Sequence, residues 1–131
     1  MTTLKEKLMN NPMNSPSKFI GRLFEARDVA HIEHLRVKGP GAYAAHTALG
    51  GFYDSLLDLV DGFVESYQGK YGIVNFEVKS VKPLDFMEYI EEFAKYVEAS
   101  REVFKEDYLK NQIDELSSLT YSTIYKLKFL K

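Results

Sequence analysis

Three observations predict an all-α protein, a single four-helix bundle with one long crossover between its second and third helices. Apolar residues recur at three- and four-residue spacing in four separate stretches of the chain. Short connections lie between the first and second stretches and between the third and fourth. A longer connection separates the second from the third, and that order of short, long and short fits a bundle with one crossover. With 131 residues and 45% apolar content the chain suits one core and is too short for two ordinary domains. It carries no internal repeats.

A polar leader, residues 1–14, is read as a flexible terminus ahead of one domain at 15–131. Ser15 followed by Pro16 offers an N-cap with proline at the first helical position. From there Phe19, Ile20, Leu23, Phe24, Ala26 and Ala30 mark an amphipathic helix to about Val37. Gly39-Pro40-Gly41 stops it. The second helix is expected from about Ala42 to Gln68, with Leu49, Phe52, Tyr53, Leu56, Val60, Phe63, Val64 and Tyr67 inward and Gly69 and Gly72 as terminators.

Between Ile73 and Val81 the rhythm becomes period two, because Val74, Phe76 and Val78 alternate with Asn75, Glu77 and Lys79. A lone strand would leave its backbone groups unpaired, so an extended covering crossover is expected. Asp85 three positions before Glu88 has a capping-box pattern and opens a third helix to about Phe104, with Phe86, Ile90, Phe93, Ala94 and Val97 inward. A fourth helix from about Glu106 uses Leu109, Ile113, Leu116, Leu119, Tyr125 and Leu127, although Ser117 to Thr123 is rich in weak helix formers.

Composition removes several functional classes. No apolar run approaches the roughly 20 residues that span a bilayer, and the leader lacks the apolar centre of a secretory signal, so a cytoplasmic protein without a membrane partner is expected. The absence of cysteine excludes disulfides, thiolate zinc sites, iron-sulfur clusters and thiol nucleophiles. Any metal must bind through nitrogen and oxygen. A formal net charge of -2 with dispersed Lys and Arg does not supply the basic field that DNA requires. Lys5, Lys7 and Lys18, interrupted by Glu6, do not change that balance. No Gly-rich phosphate loop, nucleophile elbow or zinc-protease motif is present.

The chemistry-bearing residues concentrate between positions 34 and 65. His34 and His46 flank the Val37-Lys38-Gly39-Pro40-Gly41 turn, and Asp61 and Glu65 follow one helical turn apart. Imidazole and carboxylate together suit iron, and also zinc or manganese. Fifteen positions on one helix separate His46 from Asp61 by roughly 22 Å, so they cannot share a metal within one chain. The turn allows His34 to approach His46, and the carboxylates must then come from a second copy. An antiparallel pair of second helices about a two-fold axis near Asp54 would supply them twice over. Asp54, Asp58, Asp61 and Glu65 share one helix face, an arrangement that is most often simply solvated.

The stretch from His34-Leu35-Arg36-Val37-Lys38-Gly39-Pro40 to His46, continuing through Asp61 and Glu65, resembles the Dps branch of the ferritin-like superfamily. The resemblance covers about Ala30 to Gly72. It implies a ferritin-like bundle, non-haem iron held between subunits by His34, His46, Asp61 and Glu65, and oxidation and storage of that iron with peroxide or oxygen as oxidant. Its implied partner is a second copy of the chain, as a two-fold dimer and then a larger shell. Some members grip DNA through a Lys-rich leader.

Two positions depart from the pattern. Gly50 stands where the family has an aspartate one turn after the second histidine, so one carboxylate ligand is lost. Leu35 replaces the tryptophan usual after the first histidine. Both changes weaken the case for rapid iron oxidation and leave a weak ferroxidase at best. The alternative is a ferritin-like structural or interaction protein that kept the scaffold, lost its metal chemistry and carries no cofactor. Gly50 with Gly51 costs a helix roughly 1.5 to 2 kcal/mol relative to alanine, which close helix approach or an enlarged metal position would account for. His31 is either an auxiliary ligand or a residue with no metal role, the second reading being preferred. Glu25 and Glu33 are not placed by the motif.

Overall fold

A computed structural model describes residues 15–79 and 85–131; the leader at 1–14 lies outside the described residues. Among the described residues the regular structure is four α-helices and one short 3-10 turn: α1 (Pro16–Arg36), α2 (Ala42–Tyr71), α3 (Phe86–Ser100), the turn Arg101–Val103, and α4 (Asp107–Phe129). The described residues contain no strand.

Local chemistry fixes most of the boundaries. The Ser15 hydroxyl accepts from the Lys18 amide at 3.3 Å while Pro16 occupies the first turn of α1. After α1 the chain reverses through Gly39 and Gly41, whose φ angles of 90° and 80° lie where an L side chain would be strained. Asp85 caps α3 by accepting from the Glu88 amide at 3.1 Å. In α4 the Thr120 and Thr123 hydroxyls donate to the carbonyls of Leu116 and Leu119 at 2.8 and 3.0 Å. Those bonds let two polar residues be buried inside a helix that their intrinsic propensity disfavours.

Two helix ends differ from expectation. α2 passes through Gly69 and stops only at Gly72. Its last turn is held from outside, because the Tyr71 hydroxyl donates to Glu106, while the Tyr71 ring packs at a tilt against Tyr67 with centroids 4.8 Å apart. That tie offsets the roughly 1 kcal/mol that a helical glycine costs. α3 ends at Ser100 rather than near Phe104, since the chain tightens into the 3-10 turn and drops Val103 and Phe104 into the core.

Packing defines the topology. α1 lies against α2 and α3, and α4 lies against the same two helices, so α1 and α4 are diagonal and so are α2 and α3. At one end Phe19 of α1 meets Phe63 of α2 at 5.3 Å, Phe104 at 5.4 Å and Tyr96 of α3 at 6.0 Å. At the other end Lys128 of α4 pairs with Glu91 of α3 at 2.7 Å. Neighbouring helices are therefore antiparallel, while α2 and α3 run in the same direction. A connection between them must return along the length of the bundle.

The described part of that connection, Gly72 to Lys79, carries neither helix nor strand. The Val74 amide donates to the Gln68 side-chain carbonyl at 3.0 Å, and the Phe76 ring stacks on Phe24 at 4.9 Å. Gly21 makes this approach possible, since a Cβ there would stand 2.3 Å from the Glu77 carbonyl oxygen.

The core is aromatic and aliphatic, with Phe19, Phe52, Phe63 and Phe93 fully buried. Burying each such ring contributes about 1.5 to 3 kcal/mol. Ser100, Thr120 and Thr123 are its polar members, and among the described residues no carboxylate or imidazole is buried there. Tyr125, expected inward, is 53% exposed. The inward row of α4 passes through Thr120, Thr123 and Ile124, and Tyr125 lies about 100° further round the helix. No helix among the described residues is long and apolar enough to cross a membrane.

Candidate functional site

The Gly39-Pro40-Gly41 turn places the last turn of α1 beside the start of α2, and with them His34 beside His46. Their rings stack with centroids 3.6 Å apart and planes 17° from parallel. His34 Nδ1 donates to the His46 carbonyl oxygen at 2.6 Å, and His46 Nδ1 donates to the His34 carbonyl oxygen at 2.7 Å. A carbonyl can only accept, so both Nδ1 atoms carry the proton. The His34 carbonyl belongs to the final turn of α1, where backbone acceptors have no partner within the helix. His46 is thus a side-chain cap for α1 supplied by α2.

Gly50 is part of the same arrangement. A Cβ at this position would lie 3.2 Å from His34 Cε1 and 3.5 Å from its Nδ1. The glycine makes room for the His34 ring, so of the two accounts of a helical glycine here it is close approach that the structure displays. At Gly51 a Cβ would meet nothing within 4 Å, and nothing in the structure explains that glycine. Tyr53 completes the cluster, with His31 stacked on its ring at 4.3 Å and His34 edge-on at 5.3 Å. His31 stands 6.2 Å from His34 and packs on Tyr53 instead of joining the pair.

Ring geometry limits what the histidines can do together. A metal binds imidazole close to the ring plane at about 2.0 to 2.1 Å from nitrogen. Between near-parallel rings 3.6 Å apart, an ion shared by both would lie about half that separation out of each plane. The pair offers two separate Nε2 atoms rather than a chelate. Asp61 and Glu65 are exposed on the outer face of α2, with Asp54 and Asp58, roughly 22 Å along the helix from His46 in the case of Asp61. Among the described residues no group of three or more His, Asp or Glu is placed to hold a metal ion. One chain therefore brings His34 and His46 together and leaves Asp61 and Glu65 apart from them.

A second polar cluster ties α1 to α3. Tyr89 donates to Glu25 at 2.8 Å, and Arg22 lies 3.6 Å from Glu25 with its guanidinium 4.4 Å over the Tyr96 ring. Burial, followed by the bond to Glu25, pushes the Tyr89 hydroxyl pKa well up. Glu25 was not placed by the motif, and nothing local in the sequence announces a partner 64 positions away. At the far end of α2, the bond to Glu106 pushes the Tyr71 hydroxyl up to about 12 and draws the Glu106 carboxyl below its ordinary value.

The sequence profile of DUF5856, a family of unknown function, matches residues 34–127. The chain belongs to that family. The DUF5856 match opens at His34 and spans the turn, all of α2 and α3 and nearly all of α4, so the histidine pair, Gly50 and the acidic row fall within it. An uncharacterized 14.6 kDa protein in the mobD-ri intergenic region of enterobacteria phage T4 is 28% identical over 120 residues, covering 86% of this chain and 89% of its own length. No solved structure matches the chain.

Proposed function

We propose that this DUF5856 protein is a ferritin-like bundle serving a structural or interaction role, in which the two histidines form a clasp between helices. The observation that carries this reading is the reciprocal pair of Nδ1–H bonds to backbone carbonyls, seated over Gly50. Antiparallel neighbours, parallel diagonals and a returning crossover support the ferritin-like comparison. Among the described residues the apolar core offers no carboxylate for a metal site of the kind that the larger ferritins hold inside one bundle.

One observation favours the iron reading. Imidazole that donates Nδ1–H to a carbonyl presents Nε2 as its open nitrogen, the arrangement usual for metal-bound histidine. In that account His34 and His46 meet Asp61 and Glu65 of a second copy across a two-fold axis, and iron bound there is slowly oxidised. Anaerobic titration with ferrous iron, followed by aerobic absorbance in the ferric-oxo region, separates the two. The clasp reading expects a wild-type chain to bind no more iron than Asp61→Asn, Glu65→Gln, a surface double variant that leaves the histidines in place. Stoichiometric iron uptake lost in that variant and in His34→Ala, His46→Ala, by a chain that light scattering shows to be a dimer or larger, establishes the iron site instead.

A further inference from the structure

We propose that the cavity between the α1–α2 turn and the end of α4 binds a phosphate group. The cavity measures about 390 Å³, and the side chains of its lining residues include four cations, Arg36, Lys38, Lys126 and Lys131, against one carboxylate, Glu33. That is a strong local excess on a chain whose formal net charge is -2. None of the four enters an ion pair with a described residue, whereas Lys128, on the same turn of α4, is paired with Glu91.

Cations in the final turns of α1 and α4 also favour the helix dipoles. Lys38 and Lys131 lie beyond those helices, whose capping residues are Val37 and Leu130. Their charges converge on the cavity from two segments distant in sequence. A guanidinium binds phosphate oxygens in a two-pronged manner, and ammonium groups complete the neutralisation. The rest of the lining is apolar, including Ala45, Leu127 and Leu130, and the volume accommodates more than an inorganic ion. The ligand class is a phosphate monoester with a compact apolar body, either free in solution or as the headgroup of an anionic lipid.

The test uses the full chain at low ionic strength. In one arm phenyl phosphate and inorganic phosphate are titrated calorimetrically; in the other, phosphatidylcholine vesicles with and without phosphatidic acid are used for co-sedimentation. Binding in the first arm assigns a soluble ligand, and binding to phosphatidic acid vesicles alone assigns the lipid source. In either case affinity should fall roughly tenfold or more in Lys38→Gln, Lys126→Gln, as expected on losing charge-assisted contacts. Lys95→Gln, Lys105→Gln removes the same charge elsewhere on the surface and should bind as wild type. Circular dichroism verifies folding, and Arg36→Gln alone replaces the first variant if that one is unfolded. Absence of binding in both arms, or equal loss in the two double variants, overturns the proposal.

Discussion

Replacing Gly50 and Gly51 separately by alanine turns the histidine clasp into a measurable difference. Both positions are interior to α2, so each substitution gains about 0.5 to 1 kcal/mol from helix propensity alone. At Gly51 the new methyl meets nothing within 4 Å, and the whole gain should appear. At Gly50 it meets His34 Cε1 at 3.2 Å, closer than ordinary van der Waals contact. The ring must then retreat by a few tenths of an ångström. It is held by a 2.6 Å bond through Nδ1 and by stacking on His46, so retreat stretches one or both contacts. Weakening a hydrogen bond of this kind costs about 0.5 to 1.5 kcal/mol, enough to cancel or reverse the propensity gain. Urea or thermal unfolding should therefore show Gly51→Ala stabilised by about 1 kcal/mol, roughly 3 to 5 °C for a domain of this size. Gly50→Ala should show no gain or a net loss. Equal stabilisation of the two variants would refute the placement of the His34 ring.

Other consequences follow from named contacts. Gly21→Ala drives a Cβ into the Glu77 carbonyl oxygen and should cost about 1 to 3 kcal/mol in urea unfolding, as overpacking does, because backbone has to move. A double-mutant cycle on His34→Ala and His46→Ala should return a coupling of about 1 kcal/mol or more, since each ring holds the other's carbonyl. Tyr89→Phe removes the donor to Glu25 and should destabilise by about 1 to 2 kcal/mol. Tyr71 and Tyr89 both have raised folded-state pKa values, so their contribution is full below about pH 10, where the unfolded phenol titrates, and is lost as pH rises through 12 for Tyr71 and higher still for Tyr89. Unfolding midpoints measured across that alkaline range should fall less steeply for Tyr71→Phe than for wild type.

Much of the fold was legible because it rests on local chemistry. Ser15-Pro16, Asp85 and the Gly39-Pro40-Gly41 turn act within a few residues of themselves, and the apolar periodicity of α1, α2 and α3 reports burial directly. What escaped depends on partners far along the chain. Gly69 reads as a stop until Glu106 is seen holding Tyr71 beyond it. Tyr125 reads as core because its spacing fits a stripe, but Thr120 and Thr123, satisfied by their own helix, take the inward row instead.

The candidate site was legible to a similar depth. Spacing across a tight turn was enough to bring His34 and His46 together, and helix rise was enough to keep Asp61 away from them. Gly50 was offered by the sequence as a lost ligand, an enlarged metal position or a close helix approach, with nothing to choose among them. Its role as space for an imidazole depends on the ring orientation that two backbone carbonyls impose. Gly21 is the same case on α1, a residue whose value lies in what a distant segment lays across it.

Nitrogen-15 correlation spectra of the histidine rings test the clasp most directly. At about pH 8.5, where free imidazole is neutral, His34 and His46 should both be in the Nδ1–H form, with slowly exchanging Nδ1 protons. Rings that populate chiefly the Nε2–H form, or that exchange their Nδ1 protons as freely as exposed imidazole, would contradict the clasp.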